Sequence, residues 1–336
     1  MARYLIHCFV TAALTAAVLT GLSVYCQPLD GDLTSIGAWA ERDFGWNAPR
    51  TRLAPTREEA SHAAPGVLVL GDSFSFSRPW QSVLAAEAGM NVLSFSYRSA
   101  GCIENWVRWA TESTADAVII EVVERNFIRT FSGPPGCAPH VPEASEVKPA
   151  GPLTRSTALR WPPGLDAYYL VRTAINTLTM NAGGQRPVRG NLVVNVAIRH
   201  GCGAFSHRRE DRMLYYAEDE GKNSWKEADV QATIANVLRL QQEVLSAGKR
   251  FVFVVVPDKL TIYEHCIAQE RDRRTPNAPN ITSRLIAAGA HAPDMVTVFR
   301  ALSASAIDLY DPNNTHLGPN GYFAMGRTVE QALNLR

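Results

Sequence analysis

The chain has 336 residues, with 33 Lys and Arg against 32 Asp and Glu, a formal net charge of +1. Hydrophobic residues make up 46% and charged residues 19%, a globular composition that excludes a disordered chain. So even a balance leaves no basic surplus to offset phosphates, which argues against nucleic acid as a partner. The six cysteines, with no C-x-x-C pair, fit neither a disulfide scaffold nor a structural zinc site.

Taken in chain order, the first element is apolar. No charged residue occurs between Tyr4 and Tyr25; Arg3 precedes the run, and the next Lys or Arg is Arg42. A hydrocarbon core takes about 20 apolar residues as helix, and a positive residue before the run keeps that side cytoplasmic. Residues 1–26 therefore read as a signal anchor or a cleaved signal peptide, with the anchor favoured because no A-x-A site follows. Tyr25 before Cys26 makes a poor lipobox. Either reading sends the rest of the chain into the periplasm or outside the cell. In that oxidising space Cys102, Cys137, Cys202 and Cys266 are expected to pair as Cys102–Cys137 and Cys202–Cys266.

Residues 27–65 form an N-terminal segment and a connector rich in Pro and charge. Residues 66–336 read as one domain. Strands are expected at 66–70, 91–97, 117–123, 250–256 and 295–299, and helices at 80–88, 104–112, 227–247, 282–288 and 321–335. Alternation of this kind implies parallel strands with right-handed crossovers, hence a three-layer α/β/α sandwich around a central parallel sheet. Between 131 and 209 Pro and Gly break the pattern, so an irregular insertion is expected there, of the kind that serves as a binding element or lid.

The first strand runs into Gly71-Asp72-Ser73-Phe74-Ser75. A serine at the carboxyl end of a strand in an open α/β sheet stands where such sheets bind ligands. The turn differs from the G-x-S-x-G elbow, because Ser75 occupies the second glycine position. Near the far end, Tyr310-Asp311-Pro312-Asn313-Asn314-Thr315-His316 is a turn-rich loop ending in a histidine. A serine nucleophile needs a base within hydrogen-bond reach, oriented by an acid or a carbonyl. The histidines His200, His207, His265 and His291 show no metal-ligand spacing, and no phosphate-binding glycine motif occurs, so no metal or cofactor is expected. Arg208-Arg209 and Arg271-Asp272-Arg273-Arg274 read as solvated loop faces, and Trp106 and Trp109 as core.

With GDSFS after the first strand and a late loop closing on His316, the chain resembles the SGNH/GDSL hydrolase superfamily, whose fold is flavodoxin-like. More narrowly, it resembles the SGNH-like domain of the alginate O-acetyltransferase family, the AlgX and AlgJ type. Supporting segments are Gly31-Asp32-Leu33-Thr34-Ser35-Ile36-Gly37 with Glu41 and Phe44-Gly45-Trp46-Asn47, Glu121 to Arg125 at the third strand, Val256-Pro257-Asp258-Lys259 with Tyr263, and Asn314-Thr315-His316. The resemblance implies Ser73 as the acyl-carrying nucleophile and His316 as the general base. Oxyanion donors would be the amides of Ser73 and Gly101 and the Asn126 side chain, with Arg125 an alternative to Asn126.

One departure concerns the acid. Where the family has a carboxylate two residues before the histidine, this chain has Asn314, and the three-residue spacing falls on Asn313. Asp311 is the nearest substitute, Asp308 is farther, and a Ser–His dyad oriented by a carbonyl is the other route. The resemblance implies O-acyl transfer, with acetyl as the group, onto hydroxyls of an extracytoplasmic polysaccharide. The acyl donor would be a membrane-bound partner of the MBOAT kind. The alternatives are an esterase and a catalytically degenerate polysaccharide-binding subunit.

Overall fold

The computed structural model describes residues 2–26, 31–47, 66–76, 79–96, 102–133, 148–149, 167–269 and 280–334. In chain order the strands are β1 (Val67–Gly71), β2 (Val92–Ser96), β3 (Ala117–Val123), β4 (Lys148–Pro149), β5 (Val188–Gly190), β6 (Val193–Ala197), β7 (Arg212–Tyr216) and β8 (Arg250–Val256). The main sheet runs β4-β2-β1-β3-β8. Four of its strands, β2, β1, β3 and β8, are parallel, with Val67 opposite both Val92 and Ala117, and β4 adds an antiparallel edge.

Each parallel strand is Val-, Ile- or Leu-rich because both of its faces are covered. On one face Val67, Val69, Ile119 and Val254 pack with Trp80, Phe299, Met325 and Val329. On the other, Leu68, Leu70, Ile120 and Phe253 pack with Trp106, Val237, Leu240 and Leu285. Alternate residues of one strand thus feed two cores, which gives the three-layer α/β/α architecture. Trp106 and Trp109 belong to the second core.

Helices Pro79–Ala88, Ile103–Glu112, Glu227–Ser246, Ile281–Ala287 and Pro319–Asn334 fall where the periodicity places them. Residues 295–299 do not form the expected strand. They begin the helix Met295–Ser303, whose Asp294 side chain caps Thr297 N–H at 3.1 Å. Met295, Val296, Phe299 and Ser303 are its buried positions, a helical spacing that a five-residue window conceals.

The stretch 131–209 is also more regular than expected. Its second half holds the helix Ala167–Gly183 and the hairpin β5–β6, which continues into β7 as a three-stranded antiparallel sheet. One side of this sheet, Val194, Val196, Met213 and Tyr215, joins the first core. The other, Val188, Val193 and Leu214, packs with Leu33, Trp39 and Phe44 of the N-terminal segment.

Cys202 and Cys266 are joined in a disulfide with Cα atoms 5.8 Å apart. Cys102 is also disulfide-bonded, and its expected partner Cys137 lies outside the described residues. Residues Ala2–Ser23 make one helix long and apolar enough to cross a membrane. Its far end is tied to the segment that follows, since Tyr25 OH donates to Asp43 Oδ2 at 2.6 Å.

Candidate active site

β1 is flanked by β2 on one side and β3 on the other, so the connections at its carboxyl end diverge and leave a crevice. Ser73 stands there, half-buried, directly after Gly71-Asp72. Glycine is required at 71 by close approach: a Cβ would lie 2.3 Å from Ser75 Oγ and 2.7 Å from Glu121 Oε2.

Asp72 fixes the turn. Its Oδ1 accepts Phe74 N–H at 3.0 Å, and its Oδ2 accepts Val123 N–H at 2.9 Å, pinning the turn to the end of β3. Beneath it, Glu121 Oε2 accepts Asp72 N–H at 3.1 Å and Ser75 Oγ–H at 2.6 Å. Burial, followed by the nearby Asp72 charge, pushes the Glu121 carboxyl well above the usual range. Trp80 Nε1–H closes the set on Ser75 Oγ at 3.3 Å. The Ser73 hydroxyl has no hydrogen-bond partner among the described residues.

The loop carrying His316 is closed on itself and clamped from below. Asp311 N–H donates to His316 O at 3.0 Å, and Tyr310 bridges Leu317. Lys259 Nζ donates to the carbonyls of Asp311 (2.8 Å), Pro312 (2.9 Å) and Asn314 (3.4 Å), with the Phe205 ring 4.6 Å away on another side. Burial pushes Lys259 down to about 7, against the pull of Asp311, Asp32 and Asp308.

His316 is brought to the nucleophile turn. Its ring lies 4.8 Å, centroid to centroid, from that of Phe74, the residue after Ser73. Asn314 Oδ1 lies 2.7 Å from His316 Nδ1 and also accepts the His316 backbone N–H at 3.0 Å. This network assigns the proton to Nδ1 and leaves the Nε2 lone pair available as a base.

A carboxylate beside the ring is that of Asp32. Asp32 Oδ2 is 3.5 Å from His316 Nδ1. The same carboxylate accepts Thr315 N–H at 2.8 Å and Thr315 Oγ1–H at 2.6 Å. Asp311 meets His316 through its backbone, and its carbonyl faces Lys259. Burial raises the Asp32 pKa, but hydrogen bonds from His316 and Thr315 outweigh it and hold the carboxyl below the ordinary aspartate value. Asp308, the more distant candidate, instead caps Ser206 N–H at 2.8 Å.

The N-terminal segment is locked onto the His316 loop by more than Asp32. Asn313 O accepts Leu33 N–H at 3.0 Å and Thr34 N–H at 3.4 Å. Glu41 receives Asn313 Nδ2–H on one oxygen and Thr34 Oγ1–H on the other, the latter at 2.6 Å. Gly31 sits so close that a Cβ would lie 1.9 Å from Asn313 O. In the sequence the signal for this role is the run Gly31-Asp32-Leu33-Thr34, where a close-packing glycine precedes two polar side chains, Asp32 bonding the loop and Thr34 bonding Glu41.

Arg125 is held in a buried ionic cluster, 2.8 Å from Asp258 and 3.3 Å from Asp219, with the Tyr216 ring 5.5 Å off. Lys222 adds Glu124 and Thr261, each at 2.7 Å, and Asp258. Burial and then Asp258 push the Asp219 carboxyl well above the usual range, against the pull of Arg125 and Lys222. Arg125 is thereby occupied with its own cluster. Asn126, buried three residues past the end of β3, accepts a hydrogen bond from Arg129. Gly101 lies outside the described residues. Cys202, His265 and Cys266 are grouped closely enough to hold a metal ion, but the disulfide takes both sulfurs.

Residues 209–336 match the family model of the SGNH hydrolase-like domain of the acetyltransferase AlgX. That range carries the AlgX-like Pro257-Asp258-Lys259 segment, Tyr263 and the loop with His316. Ser73 and Asp32 precede it. The four parallel strands flanked by helices are consistent with the AlgX-type SGNH-like fold. Comparison with curated proteins and with solved structures finds no match.

Proposed function

We propose that the protein is a periplasmic O-acyltransferase, acting with an acetyl group on hydroxyls of an extracytoplasmic polysaccharide. The observation that supports this best is the His316 ring seated on Phe74, beside a Ser73 whose turn is braced by Asp72 and Glu121. In the first half-reaction Ser73 Oγ attacks the acyl carbonyl while His316 Nε2 takes the hydroxyl proton. Collapse breaks the bond to the donor's leaving group, which receives that proton and leaves an acyl-Ser73 ester. A sugar hydroxyl then attacks the ester, His316 takes its proton, and that proton returns to Ser73 as the acyl group departs.

The AlgX match supports acetyl as the group transferred. The apolar helix supports anchoring at the inner membrane and delivery of acyl groups by a membrane-bound partner of the MBOAT kind. Beside that helix runs Ala167–Gly183, which exposes Tyr168, Val171, Ile175 and Leu178 along one stripe. The Cys202–Cys266 disulfide fits an oxidising compartment. Hydrolysis to a free acid is the second reading, favoured by one observation: the His316 side chain is 27% exposed, so water can compete with a sugar hydroxyl.

The test is turnover of 4-nitrophenyl acetate by the full chain in detergent. Ser73→Ala is expected to lower the rate about 10³-fold or more, and oligosaccharide acceptors to raise it by taking the acetyl group. Equal rates for wild type and variant would reject both enzyme readings, leaving the polysaccharide-binding subunit. Burst release without acetylated sugar would select the esterase.

A further inference from the structure

We propose that the work of the triad acid is divided here between two residues, Asn314 orienting His316 and Asp32, from the N-terminal segment, supplying the negative charge. The inference rests on the reading of Ser73 and His316 as nucleophile and base. In a Ser-His-Asp site one carboxylate both holds the imidazole tautomer and stabilises the imidazolium formed when the serine proton arrives. Asn314 can do only the first. Its Oδ1, 2.7 Å from Nδ1, accepts the ring N–H and is itself oriented by the His316 backbone N–H at 3.0 Å. An amide carries no charge, so it leaves the imidazolium without a counterion.

Asp32 supplies the missing charge. Its Oδ2 lies 3.5 Å from Nδ1, close enough for strong Coulomb coupling and farther than the oxygen that orients the ring. Both of its oxygens are already fixed by Thr315, through the backbone N–H at 2.8 Å and the hydroxyl at 2.6 Å. Those bonds keep the carboxylate in place as the ring gains and loses a proton. Other charged groups near the loop are Lys259, beneath its carbonyls, Glu41, which receives Asn313 Nδ2–H, and Asp311, on the loop itself. The Gly31 approach and the Glu41–Asn313 contact hold the segment carrying Asp32 in register with the loop. Asp32 therefore acts through His316 as a positioning and charge-balancing residue, without touching the acyl group.

The experiment moves the charge. Asp32→Asn keeps an acceptor for Thr315 N–H but removes the anion, and turnover of 4-nitrophenyl acetate is expected to fall about 10²- to 10⁴-fold. Adding Asn314→Asp to that variant puts a carboxylate on Nδ1 directly and is expected to restore turnover at least about tenfold. Because a carboxylate beside an imidazole favours its protonated form, the acid limb of the pH–rate profile should move to lower pH in Asp32→Asn. The same shift should appear in an NMR titration of His316 in the full chain, which requires no activity. A His316 pKa unchanged by Asp32→Asn would overturn the proposal, whether or not the protein is an enzyme. So would a loss of turnover that Asn314→Asp fails to rescue with the acid limb unmoved, since Asp32 would then only help the loop fold. Failure of the functional reading is a separate result: a wild type that does not turn over ester while its His316 pKa still responds to Asp32→Asn.

Discussion

Lys259 lies under the His316 loop with its three N–H donors facing the carbonyls of Asp311, Pro312 and Asn314. Burial lowers its pKa to about 7, from about 10.4 in an unfolded chain. Between those values the unfolded state binds more protons than the folded one. This group's contribution to stability therefore rises with pH through that window, and the cost of the buried ammonium is fully present below it. Lys259→Met removes both the clamp and the titration. Melting temperatures at pH 6 and pH 9 should show wild type gaining on Lys259→Met as pH rises, and a constant difference would contradict this assignment. Asp32 has the same sense at lower pH: its pKa is also depressed, so its contribution holds above about 3.9 and is lost as pH falls through the folded value.

Ser73 and His316 were legible at this scale because each sits in a short local pattern, a strand-to-turn serine and a turn-rich loop closing on a histidine. Asp32 was not, because its contacts are made by folding and not by spacing; Asp32 and Thr315 are 283 positions apart. Proximity in sequence pointed to Asp311, whose backbone closes the loop while its carbonyl faces Lys259.

Among the elements, the segment from Gly31 to Phe44 does most to define the site for its size. Its helices Asp32–Gly37 and Glu41–Phe44 are too short to be stable alone. They persist because Leu33, Trp39 and Phe44 are buried against β5, β6 and β7. That packing delivers Asp32 and Glu41 to the His316 loop. Gly31→Ala places a methyl group against Asn313 O, a backbone atom that cannot rotate away, and should lower both melting temperature and ester turnover. Retention of wild-type turnover would mean that the segment is not needed for the site. The parallel strands were legible because both faces are apolar, and the long helices because their periods run for three turns or more. The helix at 295–303 was not, since Met295, Val296 and Phe299 within five residues fit a buried strand equally well. The antiparallel sheet was hidden because β6 and β7 are separated by a loop through Cys202 whose ends are brought together by tertiary packing.

At the scale of the molecule, the near-zero net charge proves to be the sum of a membrane-length apolar helix and a body with its ionised groups in small balanced sets. In the set around Arg125 and Lys222, the carboxyl groups of Asp219, Asp258 and Glu124 surround the two cations. The apolar N-terminal helix, the N-terminal segment, the second sheet and the His316 loop are linked in sequence by contacts: Tyr25 with Asp43, Phe44 with the sheet, Asp32 with Thr315 and His316. The central claim is that this assembly prepares Ser73 to carry an acyl group. It is tested most directly by pulsing the full chain with isotopically labelled acetyl ester, quenching in acid and locating the label by peptide mass spectrometry. The account predicts one labelled acetyl group, on Ser73, absent from Ser73→Ala and greatly reduced in His316→Ala; a label on another residue, or one that persists in Ser73→Ala, would contradict it.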